Sequence, residues 1–409
     1  MMLLRIAIKS LLHRRLTIAL TVFALMISTV VLLGVEHLRQ ETRNSFNKTI
    51  SGTDLIVGAR TGQVNLLLYS VFRIGNATNN MRWQSYQEIA GMPGVAWTIP
   101  MSLGDSHRGY RVLGTNEDYF AHFRFGNSQT LQFASGNAFE MPTAVGSDHI
   151  RLQAVLGAEV AMRLGYRVGD AVIISHGLGN VSFSNHDAHP FVVSGILAAT
   201  GTPVDQTIHV SLAGLEYIHG QTQSLNPESI TAFMVGLESP MVAFRLQRAI
   251  NNYSDEPLMA ILPGVALTEL WQMMGILERV LSLISALVLV ATLLGMTSMM
   301  LASQQQRGRE MAILRATGAS PWFISRLIVS EAMMITMAGM VLGVACLMAA
   351  LHWLAPWIAS SWGVFVAGNP ISNSAALYLL MILSASVVLS LLPAAMAYRQ
   401  SVARGLSRL

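Results

Sequence analysis

Residues 304–331, QQQRGREMAILRATGASPWFISRLIVSE, decide how this chain is read. The segment carries four arginines and two glutamates, with Gly318-Ala319-Ser320-Pro321 interrupting it, and it sits between two long apolar runs. Upstream, residues 280–306 contain no Asp, Glu, Lys or Arg; downstream, none occurs from 332 to 398. Good helix formers from Arg307 to Thr317 predict a helix, and Gly318 suits the C′ position that ends one. Ser320 and Pro321 then supply the N-cap and N1 residues of a second helix. The segment therefore reads as a two-helix corner. Met311 and Leu314, beside Ala312 and Ile313, form an apolar flank, while Arg307, Glu310 and Arg315 are left for a partner. A merely solvated, salt-bridged loop has no need of such a flank. With no folded domain on its own side of the membrane, the flank must meet lipid headgroups or another protein.

The composition agrees with membrane spans on either side. Of 409 residues, 52% are hydrophobic and only 12% charged, a balance too apolar for an ordinary soluble protein of this size. The net charge of +4 resides in arginines beside apolar runs, so topology explains it better than nucleic acid does, and no nucleic-acid partner is expected. Residues 16–35 are twenty uncharged positions, enough at about 1.5 Å each to cross a bilayer core of roughly 30 Å. That run exceeds the roughly 7–15 residues of a signal-peptide core, so it is expected to remain as an anchor. Pro356, Gly363, Gly368, Asn369 and Pro370 divide the last charge-free stretch in two. Four transmembrane helices are predicted, at 16–38, 277–303, 327–352 and 375–398.

Arginine placement orients them. Arg5, Lys9, Arg14 and Arg15 precede the first span; Arg307, Arg309, Arg315 and Arg326 lie between the second and third; Arg399, Arg404 and Arg408 follow the fourth. The positive-inside rule places both termini and the 304–331 corner in the cytoplasm. The chain is then divided as an amphipathic N-terminal helix with the first span (1–38), an extracytoplasmic domain (39–270), the second span (271–303), a cytoplasmic hairpin (304–326), the third span (327–352), a short outer loop (353–374), the fourth span (375–398) and a cytoplasmic tail (399–409). The outer domain, of roughly 230 residues, is large enough to bury its own core. Cys346, the only cysteine, falls within the third span, so that core must hold without disulfides. Its patterns are mixed. Residues 51–59, 111–114, 231–237 and 258–262 read as strands, 83–92 and 240–251 as helices, and 155–164 as a helical patch. Short apolar runs at 171–174, 191–197 and 207–212 read as a β-rich insertion, spanning about 118–228, within an α/β unit.

Sites of chemistry are sparse. The sequence has no Walker phosphate loop, no His-Glu-x-x-His and no paired-cysteine metal motif, so no catalytic residue is assigned. His176, His186, Asp187 and His189 share one polar stretch with the donor types of a transition-metal site. Such a cluster in a solvated hairpin is common, so no metal is assigned, with His176, His186 and His189 as weak candidates. Gly339 and Gly343 make a Gly-x-x-x-Gly step that admits another helix closely, within the subunit or across a dimer. Glu331, at the inner edge of the third span, snorkels to the headgroups or pairs with a basic neighbour such as Arg326; a carried proton is the sharper alternative.

The motifs carry a resemblance. Arg307-x-Arg309-Glu310, followed by Ala312-Ile313-Leu314-Arg315-Ala316-x-Gly318-Ala319-Ser320, resembles the signature of MacB/LolC/FtsX-type ABC transporter permeases, also called type VII or mechanotransmission permeases. The N-terminal LLRIAIKSLLHRRLTIALTVFAL, residues 155–170 (VLGAEVAMRLGYRVGD), 194–197 (SGIL), 201–211 (GTPVDQTIHVS) and 330–332 (SEA) are similar to further family motifs. The likeness covers essentially the whole chain. It implies an α-helical membrane protein with four spans and a large α/β extracytoplasmic domain, a porter-like βα unit with a mainly β insertion. It also implies a permease of the inner membrane, paired with a second copy of itself rather than a different chain. Two cytoplasmic ATPase subunits would bind ATP and Mg, this chain binding no cofactor, and a periplasmic adaptor or substrate-binding protein would be a further partner. Carried over residue by residue, Arg307, Arg309, Glu310, Met311, Leu314, Arg315, Gly318, Ala319 and Ser320 become the ATPase-coupling residues. The chain departs from MacB itself in lacking a fused nucleotide-binding domain, so the ATPase is expected as a separate polypeptide. The competing expectation is an FtsX-like scaffold that regulates a periplasmic enzyme and transports nothing.

Overall fold

The structure is a computed structural model, and it describes residues 15–140, 152–176, 189–219, 227–306, 313, 316–362 and 372–406. Contacts divide the chain into two compact units, one helical and one, Thr42–Met274, built on a sheet.

Among the described residues, four helices are long and apolar enough to cross a membrane. They are α1 (Arg15–Thr49), α8 (Pro263–Gln306), α9 (Pro321–Trp362) and α10 (Asn373–Leu406), the intervening numbers belonging to the sheet unit. Each outruns the span expected from hydropathy. At 44 residues, α8 is about 65 Å long, more than twice a bilayer core. The apolar run marks only where lipid can be tolerated. The polar continuation of α1, RQETRNSFNKT, opens with the good helix formers Arg39, Gln40, Glu41 and Arg43 and contains no Gly or Pro to stop the helix.

The sheet unit holds eleven strands in one sheet. In chain order these are β1 (Leu55–Ala59), β2 (Val95–His107), β3 (Tyr110–Thr115), β4 (Phe133–Gly136), β5 (Gln153–Leu156), β6 (Ala171–Val172), β7 (Ser175–His176), β8 (Phe191–Leu197), β9 (Thr207–Ser211), β10 (Ala232–Leu237) and β11 (Leu258–Ile261). The spatial order is β11-β1-β10-β2-β3-β9-β5-β8-β4, with β7 on β2 and β6 on β8. Helices α2 (Gln63–Ser70), α3 (Trp83–Ala90), α4 (Asp118–His122), α5 (Ala158–Leu164), α6 (Leu212–Ile218) and α7 (Ala243–Asn251) connect them. All five residues of β1 are buried, as the uninterrupted LIVGA requires of a strand covered on both faces. Strand β2 joins the halves of the unit. Its first part, from Val95 to Met101, pairs with β10, and its second, from Ser102 to His107, pairs with β3 across an irregularity between Leu103 and Ser106. The β-rich insertion is thus hydrogen-bonded into the same sheet as the rest.

Two local readings change. The patch 155–164 is not one helix: β5 ends at Leu156 and α5 begins at Ala158. Gly157 is the pivot, because a Cβ there would lie 2.3 Å from the Val204 carbonyl oxygen and 2.4 Å from that of Asp205. The segment read as one helix over 240–251 opens with a 3₁₀ turn, Pro240–Val242, before α7, since Ser239 caps Met241 N and Pro240 takes the first position.

That close approach interlocks two of the sequence motifs. Gly157 N donates to Thr207 O at 2.9 Å, and Gln206 Nε2 donates to Glu159 Oε2 at 2.9 Å. Asp205 is buried, and its carboxylate accepts from Thr200 N, Thr200 Oγ1 and Gly201 N at 2.8–3.0 Å. Burial raises its pKa, opposed by these donors. Replacing Asp205 by Ala leaves the loop amides unpaired in a dry site and should cost about 3 kcal/mol, read as a lower denaturation midpoint of the purified protein. His209 on β9 is fully buried against Tyr119, and burial pushes its pKa down to about 3. The folded state therefore stays neutral there while an unfolded His, near 6.5, takes up a proton as pH falls. Between pH 6.5 and 5 the wild type should lose about 2 kcal/mol more stability than His209→Asn, measured by denaturant titration at both pH values.

Candidate functional site

The corner between α8 and α9 is described at its second half. Arg307, Arg309, Glu310, Met311, Leu314 and Arg315 lie outside the residues whose side chains the structure describes. Ile313 is helical and exposed, and Thr317 N donates to its carbonyl at 3.0 Å, closing the last turn. Gly318 follows at φ +93°, a left-handed conformation that an L side chain rarely adopts, and it turns the chain out of the helix. Ser320 Oγ then accepts from Phe323 N at 3.2 Å, so α9 starts at Pro321 with its N-cap made. Ala319 is half-buried between these two exposed residues. At the start of α9 the Arg326 guanidinium lies 5.3 Å over the exposed Trp322 ring, an aromatic-basic pair of the kind found at a membrane–water interface. Glu331, one turn deeper, is buried.

Gly339 and Gly343 are used inside the subunit. A Cβ on Gly339 would come within 2.6 Å of Leu25 Cβ, and one on Gly343 within 2.8 Å of Thr29 Cβ and 3.1 Å of Met26 O. The glycine step is therefore the seat of α1 on α9. Hydroxyl pairs stitch the same bundle: Ser28 Oγ to Thr292 Oγ1 joins α1 to α8, and Thr336 Oγ1 to Ser386 Oγ joins α9 to α10, both at 2.6 Å. At the other end of α1, Arg39 bridges Glu36 at 2.8 Å and Glu278 of α8 at 3.5 Å, while Gln40 donates to Glu36 and to Ser374 of α10, both at 2.6 Å. Nothing local in the sequence marks this clasp, because its members come from three helices.

The histidine cluster is only partly in view. His186 and Asp187 lie outside the described residues. His176 is on β7, its register partner being Asp105 on β2, and the exposed His189 ring stands 5.1 Å from Tyr217 of α6. Sequence reasoning missed the group that α6 brings here: His219, just past its end, has Nε2 at 3.3 Å from the buried Asp105 Oδ2. The Asp105 carboxylate raises the His219 pKa, against the opposing effect of burial.

Comparison with known proteins decides the family. The model for the MacB-like periplasmic core domain matches residues 18–253, more than half of the chain, and that for the FtsX-like permease C-terminal region matches residues 282–402. The chain belongs to the MacB/FtsX-like permease family. It is 25% identical over 195 residues to the lipoprotein-releasing system transmembrane protein LolE of Haemophilus influenzae, a match covering 46% of this chain and 45% of that one. The aligned part thus spans about half the length of this relative. The extracellular domain of the noncanonic ABC-type transporter YknZ from Gram-positive bacteria aligns over 51% of this chain and 99% of its own, at 14% identity and a TM-score of 0.32. The periplasmic region of MacB from Actinobacillus actinomycetemcomitans aligns over 54% of this chain and 94% of its own, at 9% identity and a TM-score of 0.36. As a family member the chain is an ABC-type permease, a multi-pass membrane protein with a periplasmic core domain. Adding a branched side chain at the glycine seat should loosen its helical unit: Gly343→Val is expected to cost at least about 2 kcal/mol and Gly343→Ala less, followed as thermal aggregation in detergent.

Proposed function

We propose that this chain is the transmembrane subunit of an ABC transporter in which a separate ATPase drives movement of the periplasmic domain. That movement exports, extracts or releases a periplasmic or membrane-associated substrate. Both termini and the 304–331 corner face the cytoplasm, the side on which the arginines accumulate. ATP and Mg belong to the ATPase, two copies of which serve two permease copies, and an adaptor or substrate-binding protein meets the periplasmic domain. Lipoprotein release, named for the Haemophilus relative, falls within this substrate class.

The observation that carries the reading is the corner itself. The helical turn closed by Thr317 N on the Ile313 carbonyl ends on the left-handed Gly318, the chain turns in two residues, and Ser320 caps a helix that continues unbroken for 42 residues. A push on Arg307, Arg309, Glu310, Met311, Leu314 or Arg315 is then delivered along a rigid rod rather than absorbed in a loop. In this reading the arginines and Glu310 anchor by charge, Met311 and Leu314 fill an apolar seat, and Gly318, Ala319 and Ser320 set the angle. The long α1 and α8 favour mechanical transmission over a pore, because both outrun the bilayer without a helix break.

The test replaces Glu310 and Arg315 together by Ala and reconstitutes the permease with its co-purifying ATPase. Permease-stimulated ATP hydrolysis should fall at least about tenfold, while the melting profile of the permease stays unchanged. Undiminished stimulation in that variant refutes the coupling role. ATP-dependent activation of a bound hydrolase with no cargo moved would point to a regulatory scaffold instead.

A further inference from the structure

Two arginines without an acidic partner hold the turn after α2. Arg73 is half-buried and sits at φ +59°, a left-handed conformation that a long side chain adopts only where its surroundings impose it. Its Nη1 donates to the Ser70 carbonyl and lies 3.9 Å from Met101 Sδ. Arg111 on β3, also half-buried, donates from Nη2 to the Gly75 carbonyl at 2.6 Å, so the two side chains grip opposite ends of one turn. Among the described residues no carboxylate forms an ion pair with either. Burial lowers the Arg73 pKa, and the like charge of Arg111 adds to this against the opposing effect of Tyr119. Both guanidiniums still stay charged at neutral pH. Tyr119 is fully buried beside Arg73; its oxygen can only accept from a guanidinium, and among the described residues its own proton has no acceptor. Asp205, an acid whose charge reaches Tyr119, is already occupied by Thr200 N, Thr200 Oγ1 and Gly201 N. His209 adds no donor here: Nδ1 donates to the Val155 carbonyl at 3.3 Å, which leaves Nε2 an acceptor.

We propose that Arg73, Arg111 and the Tyr119 hydroxyl bind a phosphate-type oxyanion, free or carried on a lipid headgroup. Charge drawn out of water is costly without a counter-charge, and a bound oxyanion supplies one. Each guanidinium carries five N–H donors in a fork that matches phosphate oxygens in pairs, and one backbone carbonyl apiece uses few of them. A tetrahedral phosphate offers oxygens to both forks and to the phenol at once, whereas a planar carboxylate is filled by a single fork. The surroundings suit a lipid as well as a free ion. Phe72, next to Arg73, packs on Phe46 of α1 with ring centroids 4.3 Å apart, and Phe46 meets Trp271 of α8 edge-on at 5.5 Å, so an apolar cluster flanks the charged turn. The site lies in the sheet unit and does not rest on the coupling corner.

The test titrates the full-length protein in detergent with inorganic phosphate by isothermal calorimetry, ionic strength being held with chloride. One phosphate per chain is expected. Arg111→Gln and Arg73→Asn should each weaken binding at least about tenfold, and Tyr119→Phe about threefold. Asn is chosen at 73 because it tolerates the left-handed backbone. Melting curves with and without phosphate separate lost binding from lost folding. Wild type should gain thermal stability from phosphate beyond its general salt effect, whereas both arginine variants should show that general effect alone, whatever their phosphate-free midpoints. A second titration uses dihexanoyl phosphatidylglycerol, with dihexanoylglycerol as the phosphate-free control. Tighter binding of phosphatidylglycerol than of phosphate, with none of the control, assigns the site to a lipid headgroup; phosphate bound without competition from the lipid assigns it to a free ion. Wild-type protein that binds neither phosphate nor phosphatidylglycerol tighter than millimolar overturns the proposal. So does unchanged affinity in both Arg73→Asn and Arg111→Gln.

Discussion

One strand carries the periplasmic unit. Val95–His107 gives its first half to β10 and its second half to β3, so both parts of the domain hang on the hydrogen bonds of a single thirteen-residue segment. A ladder forces this economy, because every buried backbone N–H and C=O must find a partner. An α/β unit and a β-rich insertion with separate sheets would each bury or expose an edge there; running β2 through both removes it. The irregularity between Leu103 and Ser106 re-aims the strand as it passes from one partner to the other, and it leaves Asp105 buried near the end of the shared strand.

The helical unit obeys a different constraint. Within lipid there is no hydrophobic gain from one apolar helix meeting another, so packing depends on closeness and on polar contacts. Gly339 and Gly343 give that closeness to α1, and the Ser28–Thr292 and Thr336–Ser386 pairs tie the remaining helices at hydrogen-bond distance. The Arg39 clasp with Glu36 and Glu278 keeps its charges paired where α1 approaches the end of its apolar run. Around these contacts Leu25, Leu293, Met296, Ile328 and Ile335 close into a buried apolar core shared by α1, α8 and α9.

Hydropathy, arginine placement and helix caps are local properties. For that reason the four apolar helices, the periplasmic domain and the Gly318–Ser320 turn are legible in sequence alone. The lengths of α1 and α8 were not, since a helix continues wherever propensity allows and not only where lipid requires. The patch 155–164 misled for a related reason. Its residues favour a helix, but the sheet claims β5 through pairing with β8 and β9, and tertiary pairing overrides propensity.

The class of molecule, the four apolar helices among the described residues and the Gly318–Ser320 turn could be read from sequence, because each depends on residues within a few turns of one another. Only the tertiary structure decided that the glycine step of α9 receives α1, that Gly157 is pressed against Val204 and Asp205, and that His219 meets Asp105. Those outcomes depend on which distant segments the fold brings into contact, and no local pattern of residues encodes the identity of a partner far along the chain.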